Sequence, residues 1–419
     1  MLSYVPVVLM LIGLAAYAVL AGADFGAGFW TLVPGAGRAD AETTRRHARH
    51  AIGPVWEANH VWLIFVLVVC WTCYPQAFAS ITSTLAAPLL LAAIGIILRG
   101  ATYALRGQLD DTPGRRAVET VFGLSSILTP FALGTVVGAI ASGRVPVGNA
   151  RGDLVASWLH PTSIAIGALA IATSSYLAAV YLAADARRLR ESTLERDFRI
   201  RALGAAVVAG ALAVVGLVVL RYDAPAFFDR LTTGMGLAMV CLSAAAGLVT
   251  IAWVRAGRFG PARVAAALAV AAVVGGWAFA QQPRLLPGLT IEQAAAGQAT
   301  LVALLIAAVG GACILVPSLL LLFSLFLRGR LDAHMDGASV ADVVAIETSD
   351  RARPLGWFAL ACLLVGTTLT VLADANWAHV VGITCLAAFA ASAFALSATV
   401  PDEHAEDQTD NHPAARNLG

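Results

Sequence analysis

Charge is scarce in this 419-residue chain: Asp, Glu, Lys and Arg make up 13% of it, against roughly 25% in ordinary soluble domains. Lysine is absent, so all 27 basic residues are arginine. With 59% hydrophobic residues and a mean hydropathy of +0.79, the sequence is too apolar for a water-soluble globule or a disordered segment. A formal net charge of +1 leaves no basic face for phosphate backbones and excludes nucleic acid as a partner. Of the six cysteines, Cys241, Cys313, Cys362 and Cys385 stand alone in apolar runs, which excludes a disulfide framework. Cys70-x-x-Cys73 lies late in another apolar run rather than after a strand, and reads as core filling rather than a redox pair. Phosphate loops, dinucleotide fingerprints, nucleophile elbows and metal-ligand spacings are also missing. The bilayer is the solvent for this chain.

What the sequence does contain is a series of apolar runs about as long as a transmembrane helix requires, near 20 residues. They fall at 5–31, 51–74, 78–104, 118–141, 157–184, 203–221, 231–254, 262–280, 299–327, 355–373 and 378–399. The first is too long for a signal peptide, lacks a basic flank and contains Asp24. The arginines then set the topology, because cytoplasmic loops concentrate positive charge. With the N-terminus outside and the C-terminus inside, 21 arginines fall on the cytoplasmic side and five (Arg144, Arg151, Arg221, Arg230, Arg284) on the other, with Arg99 inside a helix. The loop 331–354 carries mixed charge with a short amphipathic piece near 338–348, and residues 401–419 read as a disordered tail.

An ionisable side chain at bilayer depth is costly and marks a functional hypothesis by default. Asp24 late in the first run, Glu57 early in the second, Arg99 late in the third and Glu119 opening the fourth are all expected at one depth near the cytoplasmic face. On the second run Trp56 and His60 share a face, as do Asn59 and Trp62, while Glu57 points elsewhere. Two readings stand. Carboxylates and a histidine in series form a proton path, with Arg99 holding one carboxylate charged; or Arg99 makes a structural ion pair with Asp24 or Glu57. Haem ligation needs histidines on facing helices, and only His60 and His379 lie within the body of expected spans, with His160 near the start of the fifth beside Pro161, so a paired axial-ligand pattern is absent. The Gly-rich stretch Gly22-Ala23-Asp24-Phe25-Gly26-Ala27-Gly28 is expected to serve close helix contact, not phosphate binding.

Taken together, Gly22-x-Asp24-x-Gly26-x-Gly28, the run Gly53-Pro54-Val55-Trp56-Glu57-Ala58-Asn59-His60-Val61-Trp62, Tyr74-Pro75-x-Ala77-Phe78, Leu98-Arg99-Gly100 and His160-Pro161 resemble subunit II of cytochrome bd-type ubiquinol oxidase. The resemblance covers about residues 1–330 and implies an all-α polytopic membrane protein of the bacterial inner membrane: two four-helix bundles plus a peripheral helix. To these this chain adds two C-terminal transmembrane helices over 355–400, placed where accessory subunits sit elsewhere or serving assembly. It implies a heterodimer with a haem-bearing subunit I, joined in some members by small accessory subunits. In that family subunit I holds the haem b and haem d cofactors and the quinol site, and subunit II ligates none. Quinol and oxygen are the substrates of the complex, and a structural quinone in this subunit stays open. Glu57 stands where the family has an acid, usually Asp, on a proton route; Trp62 matches a position near an oxygen route in some members. The expected role is therefore a haem-free subunit that stabilises its partner and conducts protons through Glu57, Asp24 and His60, with Arg99 as charge partner and Trp56 and Trp62 as interface or oxygen-route aromatics. The competing class is a secondary transporter with its charged site in the inner half of the bilayer.

Overall fold

The computed structural model describes residues 2–33, 41–50, 55–105, 112–327, 352–372 and 376–398. The chain forms two compact units, Met1–Ile314 and Leu315–Gly419. After a short 3-10 turn at Leu2–Tyr4, the helices are α1 (Val5–Leu32), α2 (Ala41–His50), α3 (Val55–Cys73), α4 (Pro75–Thr84), α5 (Ala86–Leu105), α6 (Thr112–Ala141), α7 (Pro161–Arg188), α8 (Ser192–Asp223), α9 (Pro225–Leu231), α10 (Gly234–Arg255), α11 (Phe259–Gln281), α12 (Ile291–Ala294), α13 (Gln298–Leu327), α14 (Ala352–Leu372) and α15 (Asn376–Ala398). Between α11 and α12 lies a small hairpin of β1 (Arg284–Leu286) and β2 (Leu289–Thr290).

Among the described residues, eight helices are long and apolar enough to cross a membrane, and α3, α14 and α15 contribute shorter apolar stretches at Asn59–Cys73, Gly356–Leu369 and Val380–Phe389. Each of the eleven expected runs thus coincides with helix. The third differs in detail. It breaks at Leu85 into α4 and α5, because Pro88 has no N–H to offer the carbonyl four residues back and its ring crowds that turn. The fifth begins at Pro161 rather than 157, with His160 in extended backbone before it. The sixth begins much earlier than expected: α8 has 32 residues, about 48 Å at 1.5 Å per residue, against a hydrocarbon core near 30 Å. Its charged first turns, Glu195 to Arg201, are therefore a helical extension beyond the apolar layer. The amphipathic piece at 338–348, the polar loop up to residue 351 and the tail 401–419 lie outside the described residues.

In the first unit α1, α3, α5 and α6 pack as one group and α7, α8, α10 and α11 as another, joined where α1 and α6 meet α7. The first eighteen residues of α13 stay largely exposed, which is the expected peripheral helix. In the second unit α14 packs against α15. All six cysteines are free, with Cys73 buried at the end of α3.

The contact between α1 and α7 depends on a missing side chain. A Cβ built on Gly26 would lie 1.9 Å from the Ser174 carbonyl oxygen and 2.7 Å from the Ala178 Cβ, whereas one on Gly22 meets nothing closer than 3.5 Å. Backbone cannot yield as a flexible side chain can. Gly26→Ala is therefore expected to force the helices apart and destabilise the purified subunit by about 1–3 kcal/mol, which lowers its melting point, while Gly22→Ala leaves it unchanged. Equal melting of the two variants in detergent would show that this contact does not set the spacing.

Candidate functional site

Arg99 is a guanidinium at membrane depth that is only 1% exposed. Late in α5 it points at the Gly-rich turn of α1: Nη2 lies 2.6 Å from Asp24 Oδ1 and donates to the Asp24 backbone oxygen at 3.0 Å, and Nη1 donates to Ser126 Oγ of α6. Ser126 sends its own hydroxyl proton to the Phe122 carbonyl at 2.6 Å, which leaves its oxygen lone pairs for the cation. Phe122 and Phe25 lie under the guanidinium with their centroids 4.4 and 5.1 Å from Cζ, the geometry that favours a cation over a ring face. Gly28 makes room for this arrangement, since a Cβ there would come within 2.1 Å of Ser126 Oγ and 2.9 Å of Arg99 Nη1. Of the two carboxylates the sequence offers Arg99, Asp24 forms the ion pair, and both side chains are almost fully buried.

The Phe25 ring also meets His60 of α3, whose centroid is 5.9 Å away and edge-on. Tyr17 stands at the same distance from His60 and 6.4 Å from Phe25, and Trp62 and Leu63 pack on this cluster. Asn59 is buried and its Nδ2 reaches the Leu20 carbonyl at 3.5 Å. Trp56 and Glu57 occupy the first turn of α3, one turn before His60, and their side chains lie outside the described residues, as does that of His379. Glu119 does not join Asp24. It pairs with Arg49 of α2, which also binds Glu42 at 2.7 Å. Of the four ionisable positions expected to converge, three have described side chains: Asp24 and Arg99 pair with each other, whereas Glu119 pairs with Arg49, seven residues along α6 from the Ser126 that meets Arg99, about 10 Å.

Helix α2 was hidden because it is polar throughout. Its only periodic signal was Glu42 with Arg45, Arg46 and Arg49 at three-, four- and seven-residue spacing. It is fastened by Arg45 Nε to the Thr31 carbonyl at 3.3 Å and by His47 Nε2 at 3.0 Å from the Leu182 carbonyl.

A second polar centre lies at the opposite, arginine-poor end. Asp223, the last residue of α8, takes a two-toothed contact from Arg144 at 2.8 and 3.2 Å, and the backbone N–H and hydroxyl of Thr162 at 3.2 and 2.5 Å. It thereby caps α7, whose own N-cap residue His160 makes no side-chain cap. His160 Nδ1 lies 3.0 Å from Asp223 Oδ2, so that nitrogen donates and Nε2 accepts from Ser163 at 2.8 Å. Burial outweighs the pull of the Asp223 carboxylate and holds His160 below the ordinary histidine pKa, consistent with this neutral tautomer. Sequence reading noted His160-Pro161 but not its partner, which lies 63 residues away.

The first 326 residues match a family model almost end to end: the Cytochrome bd terminal oxidase subunit II model aligns over residues 2–326. The chain belongs to the cytochrome bd oxidase subunit II family. The Bacillus subtilis protein "Cytochrome bd ubiquinol oxidase subunit 2" is 30% identical over 117 residues, 28% of this chain and 33% of that protein. The Escherichia coli K12 "Cytochrome bd-I ubiquinol oxidase subunit 2" is 25% identical over 130 residues, 31% of this chain and 33% of that one. These alignments span about a third of the length of the curated relatives. A chain of the bd oxidase structure from Geobacillus thermodenitrificans superposes with a TM-score of 0.65 at 25% identity, covering 78% of this chain and 99% of that one. The two extra C-terminal helices lie beyond the family match.

Of the histidines, His47 Nε2 lies on a backbone carbonyl, and both His160 ring nitrogens have partners. Among the described residues no three His, Cys, Asp or Glu side chains group as metal ligands.

Removing one member of the Asp24–Arg99 pair strands a buried charge, which costs about 3–5 kcal/mol, whereas replacing both by apolar residues of similar volume is close to neutral. Asp24→Leu and Arg99→Met are thus each expected to lower the melting temperature of the purified subunit sharply, with most of the loss recovered in the double variant. A double variant as unstable as the sum of the singles would mean the two side chains act independently.

Proposed function

We propose that this chain is the haem-free subunit of a membrane-embedded quinol:oxygen oxidoreductase, stabilising a haem-bearing subunit I and carrying protons inward from the cytoplasmic face. The observation that carries the reading is the desolvated Asp24–Arg99 pair at 2.6 Å, set within the same Gly-x-Asp-x-Gly-x-Gly turn that marks the family resemblance. Glu57, one turn before His60 on α3, is the first proton relay; Asp24 and His60 are its neighbours on the route, with Arg99 as the charge partner of Asp24.

The haems b and d belong to the partner subunit and supply the electron chemistry there when bound. The residues of this chain position helices, exclude water around the Arg99 pair and move protons. Trp62, packed against Tyr17 and Phe25, and Trp56 serve as interface or oxygen-route aromatics. The orientation follows from the arginine asymmetry: N-terminus outside, C-terminus in the cytoplasm, within the bacterial inner membrane. Residues 1–330 are read as the subunit II core, and the helices over 355–400 as either covering the place of accessory subunits or serving assembly. Family membership displaces the transporter reading.

Glu57→Gln removes a titratable proton and keeps the shape of the side chain. In the assembled complex it is expected to slow quinol-driven oxygen consumption roughly tenfold or more, with the haem absorbance unchanged; full turnover would take Glu57 off the route. Stripping the larger partner from the tagged chain is expected to remove all haem absorbance, and haem kept by this chain alone would refute the assignment.

A further inference from the structure

Five arginines lie at the arginine-poor end of the bundle, and two of them converge on one cavity. Of about 250 Å³, it is lined by the end of α6, the start of α9, Gln281 and the β1–β2 hairpin, and it receives Arg230 and Arg284. Asp223 also borders it, but that carboxylate is already occupied by Arg144, Thr162 and His160. Arg230 and Arg284 have no acidic partner among the described residues, and the Arg230 Nε is buried without a hydrogen-bond acceptor. Burial first, and repulsion from Arg284 second, depress the pKa of Arg230. Two like charges held together beside a cavity favour an anion between them.

The hairpin makes the placement rigid. Leu286 and Leu289 face each other across a two-residue turn and are buried, and Gly288 supplies the positive φ of +77° that follows Pro287. Arg284 is thus held at the cavity by a packed element. Gln281 adds to this rigidity, since its Nε2 donates to the Leu285 carbonyl at 3.2 Å and ties the end of α11 to the hairpin. The cavity therefore offers guanidinium donors for an anion.

We propose that this cavity binds a phosphate ester, with Arg230 and Arg284 on the phosphate. Because the cavity lies at the ends of membrane helices, the source is an anionic phospholipid of the adjoining leaflet, assigned as the outer one by the arginine asymmetry. A soluble glycerol phosphate presents the same charge chemistry without acyl chains.

The test uses the full chain purified in mild detergent together with whatever partner subunit accompanies it. Native mass spectrometry follows retention of added phosphatidylglycerol, with phosphatidylcholine as a lipid lacking the net negative charge. The wild-type chain is expected to retain phosphatidylglycerol and not phosphatidylcholine. The Arg230→Gln/Arg284→Gln variant should retain roughly tenfold less, as loss of charge-assisted bonds requires, and Arg230→Lys/Arg284→Lys, which keeps both charges and guards against misfolding, should retain most of it. Displacement by glycerol 1-phosphate at equal concentration would keep the phosphate chemistry and overturn the lipid source. Equal retention by the glutamine variant and the wild type would overturn the site. Loss of the partner subunit from the glutamine variant, with the lysine variant intact, would overturn it too, by showing that the arginines face acidic residues of a protein partner.

Discussion

A guanidinium held in a bilayer-spanning bundle with 1% of its surface exposed is tolerated only if its donors are met, and much of the first group of helices is arranged around that condition. Asp24 meets Arg99 with both a carboxylate and a backbone oxygen, Ser126 meets it with a hydroxyl, and two phenylalanines cover it. Three helices, α1, α5 and α6, thereby share one cation. The glycines of α1 follow from the same condition, because Gly28 must stand aside for Ser126 and Arg99 while Gly26 lets α1 lie against the α7 backbone. Tight packing of small residues is how helices associate where lipid is as apolar as they are.

The two ends of the bundle solve the problem of helix termini differently. At the arginine-rich end, α2 lies across the bundle on arginine and histidine contacts to α1, α6 and α7. At the other, a single carboxylate, Asp223, gathers the end of α6, the start of α7 and the end of α8. Its three kinds of donor leave it no spare capacity for Arg230 and Arg284. The same scarcity of acids that makes Asp223 a hub leaves Arg230 and Arg284 without an acidic partner among the described residues.

Much of this was legible in the residues. Helix number followed from apolar length, since an unsatisfied backbone is prohibitive in hydrocarbon. The prominence of Asp24 and Arg99 followed from the rarity of charge, and the packing role of the Gly-rich turn from its composition. Other features were not legible. The Leu85 break depends on Pro88, a residue that many membrane helices tolerate, and α2 is too polar to register as part of a membrane domain.

The sequence by itself determined which segments lie in the membrane, which end is rich in arginine and which few side chains had to find partners, because hydropathy and charge are properties of single residues. Only the tertiary structure decided who the partners are. Asp24 to Arg99 spans 75 positions and His160 to Asp223 spans 63, and such pairings depend on the spacing and rotation of packed helices, which no local pattern encodes. That is why Arg99 had two candidate carboxylates in the sequence and is bound to Asp24 in the fold.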